Sequence, residues 1–235
     1  MKLSGRVAVI TGASRGIGRA VAAKFAAEGA KVVISARDVE RLNAVKSEIA
    51  ITGAEVTSFR ADVSNESDIK ALVRYAINTY GRIDILVNNA GFGIFKPVIE
   101  TQTEEFDSLF GVNMRGTFIA TREVLADMIS RRDGVIINIA SLAGKNAVEN
   151  GAAYAATKWA MLGFAKSLLL EVRKHNIRVV TICPGSVDTD FGSGHRPNRD
   201  KILRADDVAD TALLAASLPA TAMMSEIDLR PTNPN

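Results

Sequence analysis

Short β-branched runs alternate with longer stretches rich in Ala and Leu along the whole chain. The runs at Val7–Ile10, Lys31–Ser35, Glu55–Phe59, Ile83–Val87, Val135–Ile139, Arg178–Ile182 and Glu226–Leu229 are almost continuously apolar. They predict strands covered on both faces, as in a parallel sheet. The stretches near Gly18–Glu28, Val39–Ile49, Glu66–Thr79, Glu104–Ser130, Ala153–His175 and Asp206–Ser217 predict helices. Ser64 is the predicted cap of the third, with Asn65 and Glu66 in its first turn. Strand, helix, strand repeated in this way predicts an α/β fold. It reads as one domain, 1–235, an open doubly wound parallel sheet of about seven strands with helices on both faces.

Composition narrows the function classes. A chain of 235 residues, 47% hydrophobic and 23% charged, is an ordinary globular protein with material for a large core. Its net charge of +3 comes from cations scattered among acids, without the basic stripe of a nucleic-acid binder. Cys183 is the sole cysteine, which excludes an intrachain disulfide. His175 and His195 stand twenty positions apart, so no metal site is expected. No apolar run reaches membrane-spanning length, and the first is too short for a signal-peptide core. The expectation is a cytoplasmic protein with no membrane partner.

Two motifs carry chemistry. The first strand ends in Thr11-Gly12-Ala13-Ser14-Arg15-Gly16-Ile17-Gly18 and leads straight into a helix. Small residues there let backbone approach a pyrophosphate, which the helix N-terminus then holds. The second strand ends in Ala36-Arg37-Asp38. Arg15 and Arg37 together suit a ribose 2′-phosphate, which points to NADP (NADPH) as cofactor. The competing reading makes Asp38 the contact to a free ribose 2′-OH. Further along, Tyr154 and Lys158 sit four apart on one face of a predicted helix. A phenol is a proton donor for a developing alkoxide, and a neighbouring ammonium is expected to lower its pKa towards neutrality. Ser141 lies just past a strand end, where its hydroxyl can orient a substrate oxygen or simply serve as a turn residue.

These motifs, with Asp62-Val63, Asn88-Asn89-Ala90-Gly91, Asn113 and Pro184-Gly185-x-Val187-x-Thr189, occur in the order found in the short-chain dehydrogenase/reductase family, which the chain resembles over essentially its whole length. Ser141 stands thirteen residues before Tyr154, as that family places them. The resemblance implies a Rossmann fold and an NADP-dependent oxidoreductase acting on a small carbonyl or alcohol. It implies Tyr154 as acid/base, Lys158 binding the nicotinamide ribose, and Ser141 orienting substrate. Asn113 would hold a water linking Lys158 to solvent. Gly12, Ser14, Arg15, Gly16, Ile17, Gly18 and Arg37 would meet the phosphates, and Asp62 and Val63 the adenine. Asn89, with Ala90 and Gly91, would face the adenosine-side ribose. Pro184, Gly185, Val187 and Thr189 would meet the nicotinamide carboxamide. The nearest branch by general appearance is the 3-oxoacyl-acyl-carrier-protein reductases.

Two departures separate the chain from many such relatives. Ser225–Thr232 replaces a Val-Asp-Gly-Gly ending, and the substrate loop 190–204 is short, which favours an open pocket. Leu142, Ala143, Asn146, Val148, Gly185, Ser186 and Phe191 are candidates to face a mostly apolar substrate. Arg131-Arg132 and Arg173-Lys174 end two helices, where they either dock an acidic acyl carrier protein or answer the helix dipoles. The stretch from Ala155 to Leu170 is apolar around more than one face. Its second face meets either another subunit, giving a homodimer or homotetramer, or neighbouring helices of the same chain. A non-catalytic dinucleotide sensor is the remaining alternative to an enzyme.

Overall fold

The computed structural model describes residues 1–191 and 201–232. Among these, seven strands form one parallel sheet: β1 (Val7–Thr11), β2 (Lys31–Ala36), β3 (Val56–Arg60), β4 (Ile85–Asn88), β5 (Gly134–Ile139), β6 (Ile177–Pro184) and β7 (Glu226–Leu229). Their order is β3-β2-β1-β4-β5-β6-β7. The helices are α1 (Gly16–Ala27), α2 (Val39–Ala50), α3 (Glu66–Tyr80), α4 (Thr103–Phe110), α5 (Gly116–Arg131), α6 (Ala152–Val172) and α7 (Ala205–Ser217).

Successive strand residues point to opposite faces of the sheet, and both sets find an apolar partner. Ala8 and Ile10 pack with Phe25 of α1, Leu42 of α2 and Leu213 of α7. Val9, between them, packs with Ile69 of α3, Ile119 of α5 and Leu168 of α6. That double covering explains why the strands read as continuous apolar runs. Beneath the sheet, the carboxylate of Asp84 is fully buried and accepts from Val7 N–H at 2.9 Å, Arg82 Nε at 3.0 Å and Arg131 Nη1 at 3.1 Å. β1 is flanked by β2 and β4, so the chain leaves the carboxyl ends of β1 and β4 in opposite directions and opens a crevice there.

Two expectations need correction. The stretch Glu104–Ser130 is not one helix: a π-helical turn, Gly111–Arg115, separates α4 from α5. An inserted residue leaves the apolar period on either side intact, so periodicity does not reveal it. The cap of α3 is Asn65, whose Oδ1 accepts from Ser67 N–H at 2.9 Å. Ser64 instead donates its N–H and hydroxyl to Asp62 Oδ1. Of the substrate loop 190–204, residues 192–200, including His195, lie outside the described residues. No helix among the described residues is long and apolar enough to cross a membrane.

Candidate active site

The turn from β1 into α1 is shaped for close backbone approach. Gly12 and Gly16 have φ of +65° and +54°, which L side chains rarely adopt. A Cβ at Gly12 would lie 2.7 Å from Ala90 Cα, and one at Gly18 would strike Asn89 Nδ2. Asn89 fixes this turn by donating Nδ2 to Thr11 O at 2.9 Å and Gly12 O at 3.0 Å. The turn opens onto a cleft of about 1270 Å³, which also takes in Arg15, Arg37, Asp62, Val63, Tyr154 and Lys158. Its glycine cradle, helix terminus and length suit a dinucleotide. Asp38 is engaged as the cap of α2, accepting from Arg41 N–H at 3.0 Å and pairing with Arg41 Nε at 3.3 Å. Arg37 lies 3.9 Å from Asp62, and Arg41 joins Arg15 and Arg37 on the cleft wall.

At the other end, one turn of α6 presents Tyr154 and Lys158 together, both buried. Ser141 is a turn residue that lines the cleft with Tyr154. Its Oγ accepts from Ala143 N–H at 3.1 Å, capping the short turn Leu142–Gly144. Asn113, fully buried in the π-turn, accepts from Phe92 N–H at 3.0 Å and donates to Phe92 O at 2.9 Å and Thr157 Oγ1 at 3.1 Å. Thr157 in turn donates to Tyr154 O at 2.7 Å. The side chain of Asn113 therefore clamps the loop after β4 to the helix that carries Tyr154.

The expected lowering of the phenol's pKa by Lys158 is reversed. Burial pushes Tyr154 up to about 12, with Ser141 pulling back less. Burial also pushes Lys158 down to about 8. The ammonium donates to Ile139 O at 3.0 Å and lies 5.8 Å from the centre of the Tyr154 ring, and burial sets the direction at both groups.

A phenol, a serine and a lysine on one wall of a glycine-turn cleft match a known set. The family model described as short chain dehydrogenase matches residues 6–200. The chain belongs to the short-chain dehydrogenases. It is 34% identical over 229 residues to an uncharacterized oxidoreductase of Staphylococcus aureus (strain USA300), covering 97% of this chain and 98% of that one. A metagenomic short-chain oxidoreductase solved in complex with NADP is 42% identical, covers 99% of each chain and superposes with a TM-score of 0.89. An alcohol dehydrogenase from the archaeon Thermococcus sibiricus, complexed with 5-hydroxy-NADP, is 31% identical with 97% of each chain covered and a TM-score of 0.90. The protein is thus an oxidoreductase of the short-chain dehydrogenase type with a Rossmann sheet.

Within that family frame, most predicted site residues converge. Gly12, Ser14, Arg15, Gly16, Ile17, Arg37, Asp62, Val63, Asn89, Ala90, Gly91, Ser141, Tyr154, Lys158, Pro184, Gly185, Val187 and Thr189 all line the cleft. Gly18 and Asn113 stand behind it as packing and clamping residues. Asn146 turns away from the expected substrate face and donates to Leu142 O at 3.2 Å. Arg131 is not free to dock a carrier, because it binds Asp127, Asp84 and Ile83 O. Sequence reasoning missed Arg41, Phe92, Phe95, Arg230 and Pro231 on the wall. Arg41 stands in the first turn of α2, just past Arg37 and the cap Asp38. Arg230 and Pro231 follow from β7 pairing parallel to β6, whose Gly185 N–H donates to Leu229 O at 2.8 Å.

Proposed function

We propose that this short-chain dehydrogenase is an NADP-dependent reductase of ketones and aldehydes, reversible with the corresponding alcohols. The observation that carries the reading is the convergence of Ser141, Tyr154 and Lys158 on the cleft that begins at the glycine turn. Arg15, Arg37 and Arg41 would grip a 2′-phosphate, and Asp38 is already engaged as a helix cap. The glycine turn and the N-terminus of α1 would hold the pyrophosphate. When bound, the reduced nicotinamide supplies a hydride to the carbonyl carbon. Ser141 holds the carbonyl oxygen beside the phenol, and Tyr154 gives that oxygen its proton. A phenol pushed up to about 12 is fully protonated at neutral pH, which suits donation. The reverse reaction begins with the phenolate taking the alcohol proton, so oxidation gains as pH rises.

Of the helix-end cations, Arg131 is held in the internal network around Asp84 whereas Arg132, Arg173 and Lys174 are exposed, so carrier docking would fall to those three. The proposal includes self-association through α6. Its outer stripe of Ala156, Trp159 and Gly163 is exposed and apolar, and Phe118 of α5 lies beside it in edge contact with Phe164.

A ketone panel assayed with NADPH and NADH side by side tests the reading. NADPH turnover is expected in the wild type, with a loss of at least about 100-fold in Tyr154→Phe. Tight NADPH binding with no turnover of any substrate would replace the enzyme by a dinucleotide sensor.

A further inference from the structure

Around the Tyr154 phenol, the structure places two aromatic rings that the family motifs do not account for. Phe95 lies with its ring centroid 5.2 Å from that of Tyr154, tilted 58°. Phe191 lies on the same tyrosine at 5.7 Å, tilted 55°. The two come from distant parts of the chain, the loop after β4 and the loop after β6, and both reach Gly93. A Cβ at Gly93 would stand 2.7 Å from Phe95 Cε2 and 3.1 Å from Phe191 Cε1. Both rings line the cleft.

The exposures decide how the pair should be read. Tyr154 is 6% exposed, whereas Phe95 and Phe191 are 46% and 45% exposed. Rings placed only to fill a core would be buried like the phenol. These two instead leave nearly half their surface exposed while lining a concave cleft beside the Tyr154 ring. Val148, Ile202 and Pro231 continue the apolar lining. Arg230 on the cleft wall is paired with Asp228 at 3.4 Å.

We infer that Phe95 and Phe191 form an aromatic clamp that selects carbonyl compounds bearing an aryl or alicyclic ring next to the C=O. This inference rests on the reductase reading above and names the substrate class of that site. A ring adjoining the carbonyl would lie against the exposed faces of the two phenylalanines in offset or edge-to-face geometry while its oxygen reaches Ser141 and Tyr154. A short aliphatic ketone reaches the same oxygen site but leaves both phenylalanine faces wet. Covering them, together with ring–ring contact, favours the aryl substrate by about 10-fold or more in kcat/KM. The preference resides mainly in KM, because the rings touch the substrate's flank and not its reacting atoms.

The test compares acetophenone and cyclohexyl methyl ketone with butanone as NADPH-dependent substrates, in the wild type and in Phe95→Ala, Phe191→Ala and the double variant. The expected result is a ring-to-aliphatic kcat/KM ratio above about 10 in the wild type, falling about 3–10-fold in each single variant and close to unity in the double. Phe95→Leu and Phe191→Leu keep apolar bulk, guard against loss of folding, and should retain part of the preference. Calorimetric binding of 1-phenylethanol against 2-butanol to the same proteins gives a readout independent of turnover. Equal handling of ring and aliphatic compounds by the wild type, or a preference unmoved in the double variant, overturns the clamp and leaves the reductase reading standing. Absence of turnover with selective binding of the aryl alcohol sinks the reductase reading and keeps the clamp. Absence of both sinks the two together.

Discussion

Lys158 is 4% exposed, and its ammonium donates to the carbonyl of Ile139 with no carboxylate among the causes that set its pKa. Burial holds its pKa near 8, below the ordinary 10.5. Between those values the unfolded chain keeps the proton and the folded chain releases it, so stability rises with pH across that window. Below about pH 8 the destabilisation is fully present. Lys158→Met should therefore stabilise the protein at pH 7 by about 1–3 kcal/mol, with the gain shrinking towards pH 10.5, while abolishing turnover. Thermal melts of both proteins at pH 7 and 10 check the sign; a variant less stable at pH 7 contradicts the account. Tyr154 shows the same desolvation acting on an acid, which raises its pKa and keeps the proton in place for donation.

Elements are held to one another by a few buried polar joints. Asp84 ties the start of β1, through Val7 N–H, to the end of α5, through Arg131, at the foot of β4. Removing it leaves the buried Val7 N–H and Arg82 Nε without their acceptor, and leaves Arg131 with only Asp127 and Ile83 O. Asp84→Ala should cost about 2–4 kcal/mol in urea unfolding, with KM for NADPH unchanged because the joint lies at the opposite end of the strands from the cleft. A destabilisation below about 0.5 kcal/mol would show that the network is dispensable. At the other end, the π-turn brings Asn113 under Phe92 and against Thr157, so a local irregularity in one helix sets the position of another.

For the whole molecule, the unsettled surface is α6. Its inner face packs on the sheet through Ala165, Leu168 and Val172, and its outer face leaves Trp159 55% and Leu170 67% exposed. An apolar patch of this kind around Trp159, flanked by Phe118 and separated from Leu170 by Lys166 and Ser167, fits the self-complementary contact of a twofold dimer. Trp159→Glu should convert a dimer or tetramer into monomers in sedimentation equilibrium at micromolar concentration, without unfolding. A wild type that is already monomeric under those conditions excludes the interface.

The amino-acid sequence by itself determined what depends on local spacing. Both-face burial wrote the strands as continuous apolar runs, helical periodicity placed Tyr154 and Lys158 on one face, and closely spaced small residues marked the turn after β1 from Gly12 to Gly18. Only the tertiary structure decided which distant segments meet. The pairing of β7 with β6 brings Pro231 against Gly185, and two separate loops bring Phe95 and Phe191 onto one phenol. Tertiary packing also fixed the sign of the pKa shifts at Tyr154 and Lys158. Spacing specifies neighbours along one element, whereas desolvation sums over every element packed around a group, and that sum exists only in the folded chain.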